Sequence, residues 1–170
     1  MENPLFDSLF APLQARASTL LVLPDGTEIT GAAFYRLIAR QANVLQARGV
    51  KPGDRIAAQV AKSPQALALY GACAALGAVF LPLNPGYTDA ETAYFLADAT
   101  PRILVCDAAR KAALASSAPP GCVRLTLNAD GSGSLTETAS DHFIAAPRRP
   151  DDLAALLYTS GTTGTPKGRC

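Results

Sequence analysis

The 170-residue chain has no tryptophan, one histidine, one methionine and four cysteines. His142 stands alone in a polar stretch. Cys73, Cys106, Cys122 and Cys170 are too scattered for any two to share metal-ligand spacing. Both facts speak against a zinc site. A chain of this length with scattered cysteines is also unlike a disulfide scaffold, so all four are expected as reduced thiols in a cytoplasmic protein. Cys73 and Cys106 lie in apolar segments and read as small buried hydrophobes. Charge of either sign is scarce. Fifteen basic residues against 14 acidic ones leave a net charge of +1, which gives no footprint for nucleic acid or an anionic membrane. The opening Met1-Glu2-Asn3-Pro4 has no basic residue and no long apolar core, so it does not read as a signal peptide.

One long stretch, Ser63 to Thr88, has no charge at all and could by length span a bilayer. Its punctuation argues otherwise. Ser63-Pro64 reads as a helix start, Gly77 interrupts, Pro82 and Pro85 close it, and much of the filling is alanine. The better reading is a buried helix followed by a buried strand, with no membrane span.

With 49% hydrophobic residues, the chain has ample material for one core. Residues 3–16 are predicted as an amphipathic helix with Leu5, Phe6, Leu9, Phe10 and Leu13 on one side. A hairpin follows, with strand 19–23, a turn at Asp25-Gly26 and a return over 27–29. Thr30 is placed to cap a helix that runs to about Arg48 and ends at Gly49. Strands are predicted at 55–60, 79–83, 102–106 and 123–127, the last as an exposed or edge strand. Pro82 suits a strand end or an edge. Between the strands lie helices from Ser63 to about Gly77, over 89–98 behind a Thr88/Glu91 capping box, and from Asp107 to about Ala115. Residues 128–134 read as turns and 135–140 as a further helical turn. Pro147–Pro150 reads as a basic linker, with Arg148 and Arg149 solvated. Helix and strand alternate from residue 30 to residue 127, which implies an α/β layer of mostly parallel strands flanked by helices.

The most specific stretch is Tyr158-Thr159-Ser160-Gly161-Thr162-Thr163-Gly164-Thr165-Pro166-Lys167-Gly168. Gly161, Gly164 and Gly168 let the backbone turn tightly and bring N–H groups close to an anion. Thr159, Ser160, Thr162 and Thr163 add hydroxyl donors, and Lys167 a compact positive charge. The apolar run Leu153–Tyr158 before it reads as a short buried strand, so the loop hangs from a strand end, where α/β proteins place ligands. It is not a Walker A loop. Counted from Gly161, Pro166 stands where the second glycine belongs, and Gly168 follows the lysine.

This stretch resembles the signature loop of the adenylate-forming enzymes, which include acyl-CoA synthetases, luciferases and the adenylation domains of peptide synthetases. The resemblance implies that Thr159, Ser160, Gly161, Thr162, Thr163, Gly164 and Lys167 hold ATP phosphates while a carboxylate attacks the α-phosphate. It implies ATP, Mg2+ and CoA as co-substrates, and a fold that is the N-terminal portion of the AMP-binding domain. A weaker likeness lies in Gly77–Pro85, which also reads as packing. The runs from Ala42 to Arg55, from Tyr87 to Leu96, and Asp130–Leu135 resemble malonyl-CoA synthetases, making malonate the suspected carboxylate. The same resemblance implies that the acyl pocket, the adenine contacts, a magnesium-binding glutamate and a C-terminal domain with its own lysine lie outside these 170 residues. Arg169-Cys170 departs from the family pattern, which fits a truncated or frame-shifted reading frame or a partial sequence. The 170 residues alone are then expected to be inactive. Two other readings stand beside the ligase: a stand-alone phosphate- or nucleotide-binding module, and an inactive remnant whose open strand edges would aggregate.

Overall fold

The computed structural model describes residues 2–137, 140–159 and 167–169, with Thr159 and the last three described by their backbone. Four strands make the central sheet: β3 (Arg55–Gln59), β4 (Val79–Pro82), β5 (Ile103–Cys106) and β6 (Val123–Thr126). All are parallel, in the spatial order β4-β3-β5-β6. Before them stand α1 (Pro4–Leu9), the antiparallel hairpin β1 (Thr19–Val22) and β2 (Glu28–Thr30), and α2 (Gly31–Ala47). Helix α3 (Pro64–Leu76) links β3 to β4, and α4 (Asp89–Ala99) links β4 to β5.

Period-two side chains sort the core into two halves, one on each face of the sheet. Ile56 and Ala58 of β3, with Ile103 and Val105 of β5, pack with α2 and α3 around Phe34, Ile38, Leu45 and Leu69. Their neighbours Ala57, Leu104 and Cys106 point the other way, toward Phe95 and Leu96 of α4. Strands buried on both faces read as continuous apolar runs, as β5 does (Ile103-Leu104-Val105-Cys106). The connections explain the two layers. The chain steps from β3 to β4 through α3, then returns past β3 through α4 to reach β5.

The helix boundaries follow from their caps. Thr30 accepts the Ala33 N–H at 3.1 Å, and Ser63 accepts the Ala66 N–H at 3.1 Å. Thr88 and Glu91 form the full capping box of α4. Glu91's carboxyl is held below its ordinary range by the Thr88 N–H and then the Thr88 hydroxyl, both of which favour the charged form. The uncharged stretch 63–88 is α3 followed by β4, and no described helix is long and apolar enough to cross a membrane. Cys73, Cys106 and Cys122 are free thiols. Edge strand β6 and the terminal position of Pro82 in β4 also match the sequence reading.

Several expectations change. The N-terminal helix stops at Leu9, and Ala11–Ala15 form a 3-10 turn behind Phe10. Pro12 supplies the physical reason: its ring and missing N–H oppose an unbroken helix. Residues 107–115 make two short 3-10 turns, Ala108–Arg110 and Ala113–Ala115, in place of a helix. Likewise Ser134–Thr136 is 3-10, while Thr138 and Ala139 lie outside the described residues. The segment expected as a buried strand over Leu153–Tyr158 is split. Ala155 bridges to Phe80 in parallel beside β4, and only Leu157–Thr159 form a strand, β7. Leu153 and Leu157 are 39% and 51% exposed, so the run is covered on one side only.

Arg148 is not a solvated residue. Its Nε lies 3.1 Å from Asp152 Oδ2, its N–H donates to the Glu2 carbonyl, and its stem crosses Gly77. Arg149 is exposed, as expected. Gly77 closes α3 in the left-handed conformation, φ 67°, and a Cβ there would stand 2.5 Å from Arg148 Cδ. Gly77→Ala should therefore destabilise the chain by about 1–2 kcal/mol from the backbone alone, with a further loss as Arg148 is displaced. A urea-unfolding midpoint equal to that of the unsubstituted chain would refute this account.

Candidate phosphate loop and its support

The chain enters the candidate site alongside β4. Phe80 donates to the Ala154 carbonyl at 2.9 Å, and Leu156 donates to the Phe80 carbonyl at 2.9 Å. Residues 154–156 thus run in the same sense as β4 and carry the chain to the carboxyl end of the sheet. There β7 pairs in antiparallel fashion with β8 (Lys167–Arg169). The register places Tyr158 opposite Gly168 and Thr159 opposite Lys167. The candidate loop is therefore closed at its base by a strand pair whose last rung is Thr159 and Lys167.

Of the seven residues singled out in the sequence, Thr159 and Lys167 are brought together by this register. Ser160, Gly161, Thr162, Thr163 and Gly164 lie outside the described residues. A hydroxyl-rich and glycine-rich loop closed on a lysine suits a polyphosphate in its donor set. Among the described residues no group of three or more His, Cys, Asp or Glu could hold a metal ion, so no magnesium ligand is assigned.

The base of the loop is tied to the rest of the fold by Tyr158. Its ring centroid lies 4.5 Å from that of Phe95 on α4. Its hydroxyl donates to Asp98 Oδ2 at 2.5 Å. Phe95 in turn meets Tyr87, centroids 4.9 Å apart, in the turn leading into α4. Burial raises the Tyr158 phenol well above its ordinary value, and the Asp98 hydrogen bond and negative charge raise it further, while Arg55 acts in the opposite direction. The sequence reading overlooked Asp98. One signal could have found it. An acid in the last turn of a helix opposes the macrodipole, and Asp98 is the penultimate residue of α4.

On the neighbouring strand, Gln59 clamps the same end of the sheet. It is 2% exposed, and its Nε2 donates to the Asn84 carbonyl and to Thr92 Oγ1, each at 3.0 Å. The carboxyl ends of β3 and β4 and the start of α4 are thereby fixed relative to one another.

The comparisons with known proteins agree with this layout. The sequence model of a family described as "AMP-binding enzyme" matches residues 12–169. A feruloyl-CoA synthase from Amycolatopsis sp is 38% identical over 84% of this chain and 28% of its own length. The long-chain-fatty-acid–CoA ligase FadD13 of Mycobacterium tuberculosis is 33% identical over 82% of this chain and 29% of its own. Crystal structures of MatB from Rhodopseudomonas palustris, apo and ATP-bound, superpose with a TM-score of 0.92 at 45% identity. They cover 99% of this chain and 34% of theirs. The chain thus spans about a third of the length of these relatives.

Because the folded state holds Tyr158 protonated, its contribution to stability is fully present below the phenol's unfolded pKa of about 10 and is lost as the pH climbs from there through the raised folded value. In an ultraviolet titration of the folded chain, Tyr158→Phe should remove absorbance from the most alkaline part of the phenolate curve. Loss of a normal, early-titrating phenol instead would contradict the described environment.

Proposed function

The chain belongs to the AMP-binding enzyme family, and from that membership we propose that the complete enzyme is an ATP-dependent carboxylate–CoA ligase acting on malonate. The carboxylate oxygen attacks the α-phosphorus of ATP, forming a C(O)O–P bond as the bond to pyrophosphate breaks. The acyl-adenylate then gives its acyl group to the thiol of CoA, and AMP leaves. Within this chain the assigned work is the handling of the departing pyrophosphate. Thr159, Ser160, Gly161, Thr162, Thr163, Gly164 and Lys167 would supply hydroxyls, backbone N–H groups and one ammonium to its oxygens. Mg2+ would share that charge.

The observation that carries this reading is the closure of the loop by β7 and β8, with Thr159 opposite Lys167 at the carboxyl end of a parallel sheet. Fixed donors aimed at developing charge are the main resource of phosphoryl-type transfer. Lys167 is assigned a charge role and no proton transfer. Malonate is favoured over other acids because MatB, a malonyl-CoA synthetase, combines the highest identity quoted above with near-complete coverage of this chain. The named relatives that act on ferulate or long-chain acids are less similar.

The test is carboxylate-dependent exchange of labelled pyrophosphate into ATP by the full-length protein. Malonate should support exchange above ferulate and palmitate. Lys167→Ala should lower the exchange rate by about 10²-fold or more, the usual cost of losing one strong transition-state donor. A Lys167→Ala enzyme with the full rate would contradict the assigned role. Exchange with ferulate or palmitate but none with malonate would overturn the substrate assignment.

A further inference from the structure

We infer that Tyr158 and Asp98 form a positioning pair that holds the phosphate loop in register against α4, so that the affinity for ATP depends on a contact outside the loop. The inference rests on the proposed ligase reading and adds to it two residues beyond the seven assigned to the phosphates.

Four observations support it. First, Tyr158 sits immediately before the last rung of the hairpin, and its backbone pairs with Gly168. A rotation there would be passed directly to Thr159 and Lys167. Second, its hydroxyl reaches across 60 residues of sequence to Asp98 Oδ2 at 2.5 Å. A hydrogen bond to a charged acceptor is shorter and stronger than one between neutral groups. Third, Asp98 stands at the unfavourable end of the α4 macrodipole, where a lysine or arginine would be the stabilising choice. The Tyr158 hydroxyl compensates that placement. Fourth, the run that carries the loop is weakly covered. Leu153 and Leu157 are 39% and 51% exposed, and the contact with β4 is a single parallel bridge at Phe80 and Ala155. Tyr158, packed on Phe95, is thus a side-chain tether between the hairpin and the three-layer body.

Helix α4 is a suitable anchor because it is fixed at its start and its middle. Its start is held by the Thr88/Glu91 capping box and by the Arg110–Asp89 pair at 2.5 Å. Phe95 and Leu96, 2% and 0% exposed, fix its middle against the sheet. The pair therefore connects the base of the Gly/Thr loop to a helix packed firmly on that face of the sheet.

The experiment uses the full-length protein carrying Tyr158→Phe, Asp98→Asn, and both together. Two readouts are taken: hydrogen–deuterium exchange of peptides spanning 157–169, and KM for ATP against kcat and against KM for malonate. Tyr158→Phe keeps the ring on Phe95 and removes only the hydroxyl. Each single variant is expected to speed amide exchange across 157–169 and to raise KM for ATP by about fivefold, the size of one lost hydrogen bond, with KM for malonate unchanged. The double variant should be no worse than either single one, since both break the same contact. Unchanged exchange in both single variants would overturn the tether. Faster exchange with an unaltered KM for ATP would overturn its role in nucleotide binding. If the wild-type protein shows no pyrophosphate exchange with any carboxylate, the ligase reading falls and the nucleotide role falls with it, while the amide-exchange readout still decides the tether alone.

Discussion

The parallel pairing of β3 with both β4 and β5 is the constraint on which the rest of the molecule depends. A central strand with neighbours on both sides must be apolar on both faces, and β3 meets that demand with Ile56, Ala57 and Ala58. The small residues at 57 and 58 matter as much as their apolarity. They leave room for bulky partners, Leu81, Phe95 and Leu104 on one face and Leu69 and Val105 on the other. Because parallel strands need crossover connections, the pairing also dictates that α3 and α4 exist and that they lie on opposite faces.

From that arrangement the location of the candidate loop follows. The carboxyl ends of β3 and β4 meet beside the start of α4, and Gln59, Asn84 and Thr92 close the gap between them with hydrogen bonds. Residues 154–156 use β4 as a guide rail and deliver the hairpin of β7 and β8 to the same end. The proposed phosphate role requires a loop that is held at its base. The aromatic contact of Tyr158 with Phe95 and the hydroxyl bond to Asp98 meet that requirement.

Local signals proved dependable where a single residue type has one physical use. Ser63, Thr30 and the Thr88/Glu91 pair were legible as helix starts because a hydroxyl before a helix satisfies N–H groups that have no other partner. Gly77 was legible as a stop, and the two-sided apolar run at 103–106 as a buried strand. Signals failed where the outcome depends on what packs alongside. The apolar composition of Leu153–Tyr158 suggested a short buried strand, but Leu153 and Leu157 are exposed and the run bridges β4 at Ala155 alone among the described residues. Arg148 looked like surface until the fold set Asp152 and the open face of Gly77 beside it.

The sequence by itself determined the family, the α/β alternation, the helix caps and the composition of the loop, because each is encoded in residues a few positions apart. Tertiary structure alone decided that Tyr158 finds Asp98, that Thr159 faces Lys167, and that β5 lies beside β3 and not beside β4. Those outcomes join residues distant along the chain. They are fixed by strand order and by the face on which each crossover helix packs, and no local periodicity contains that information.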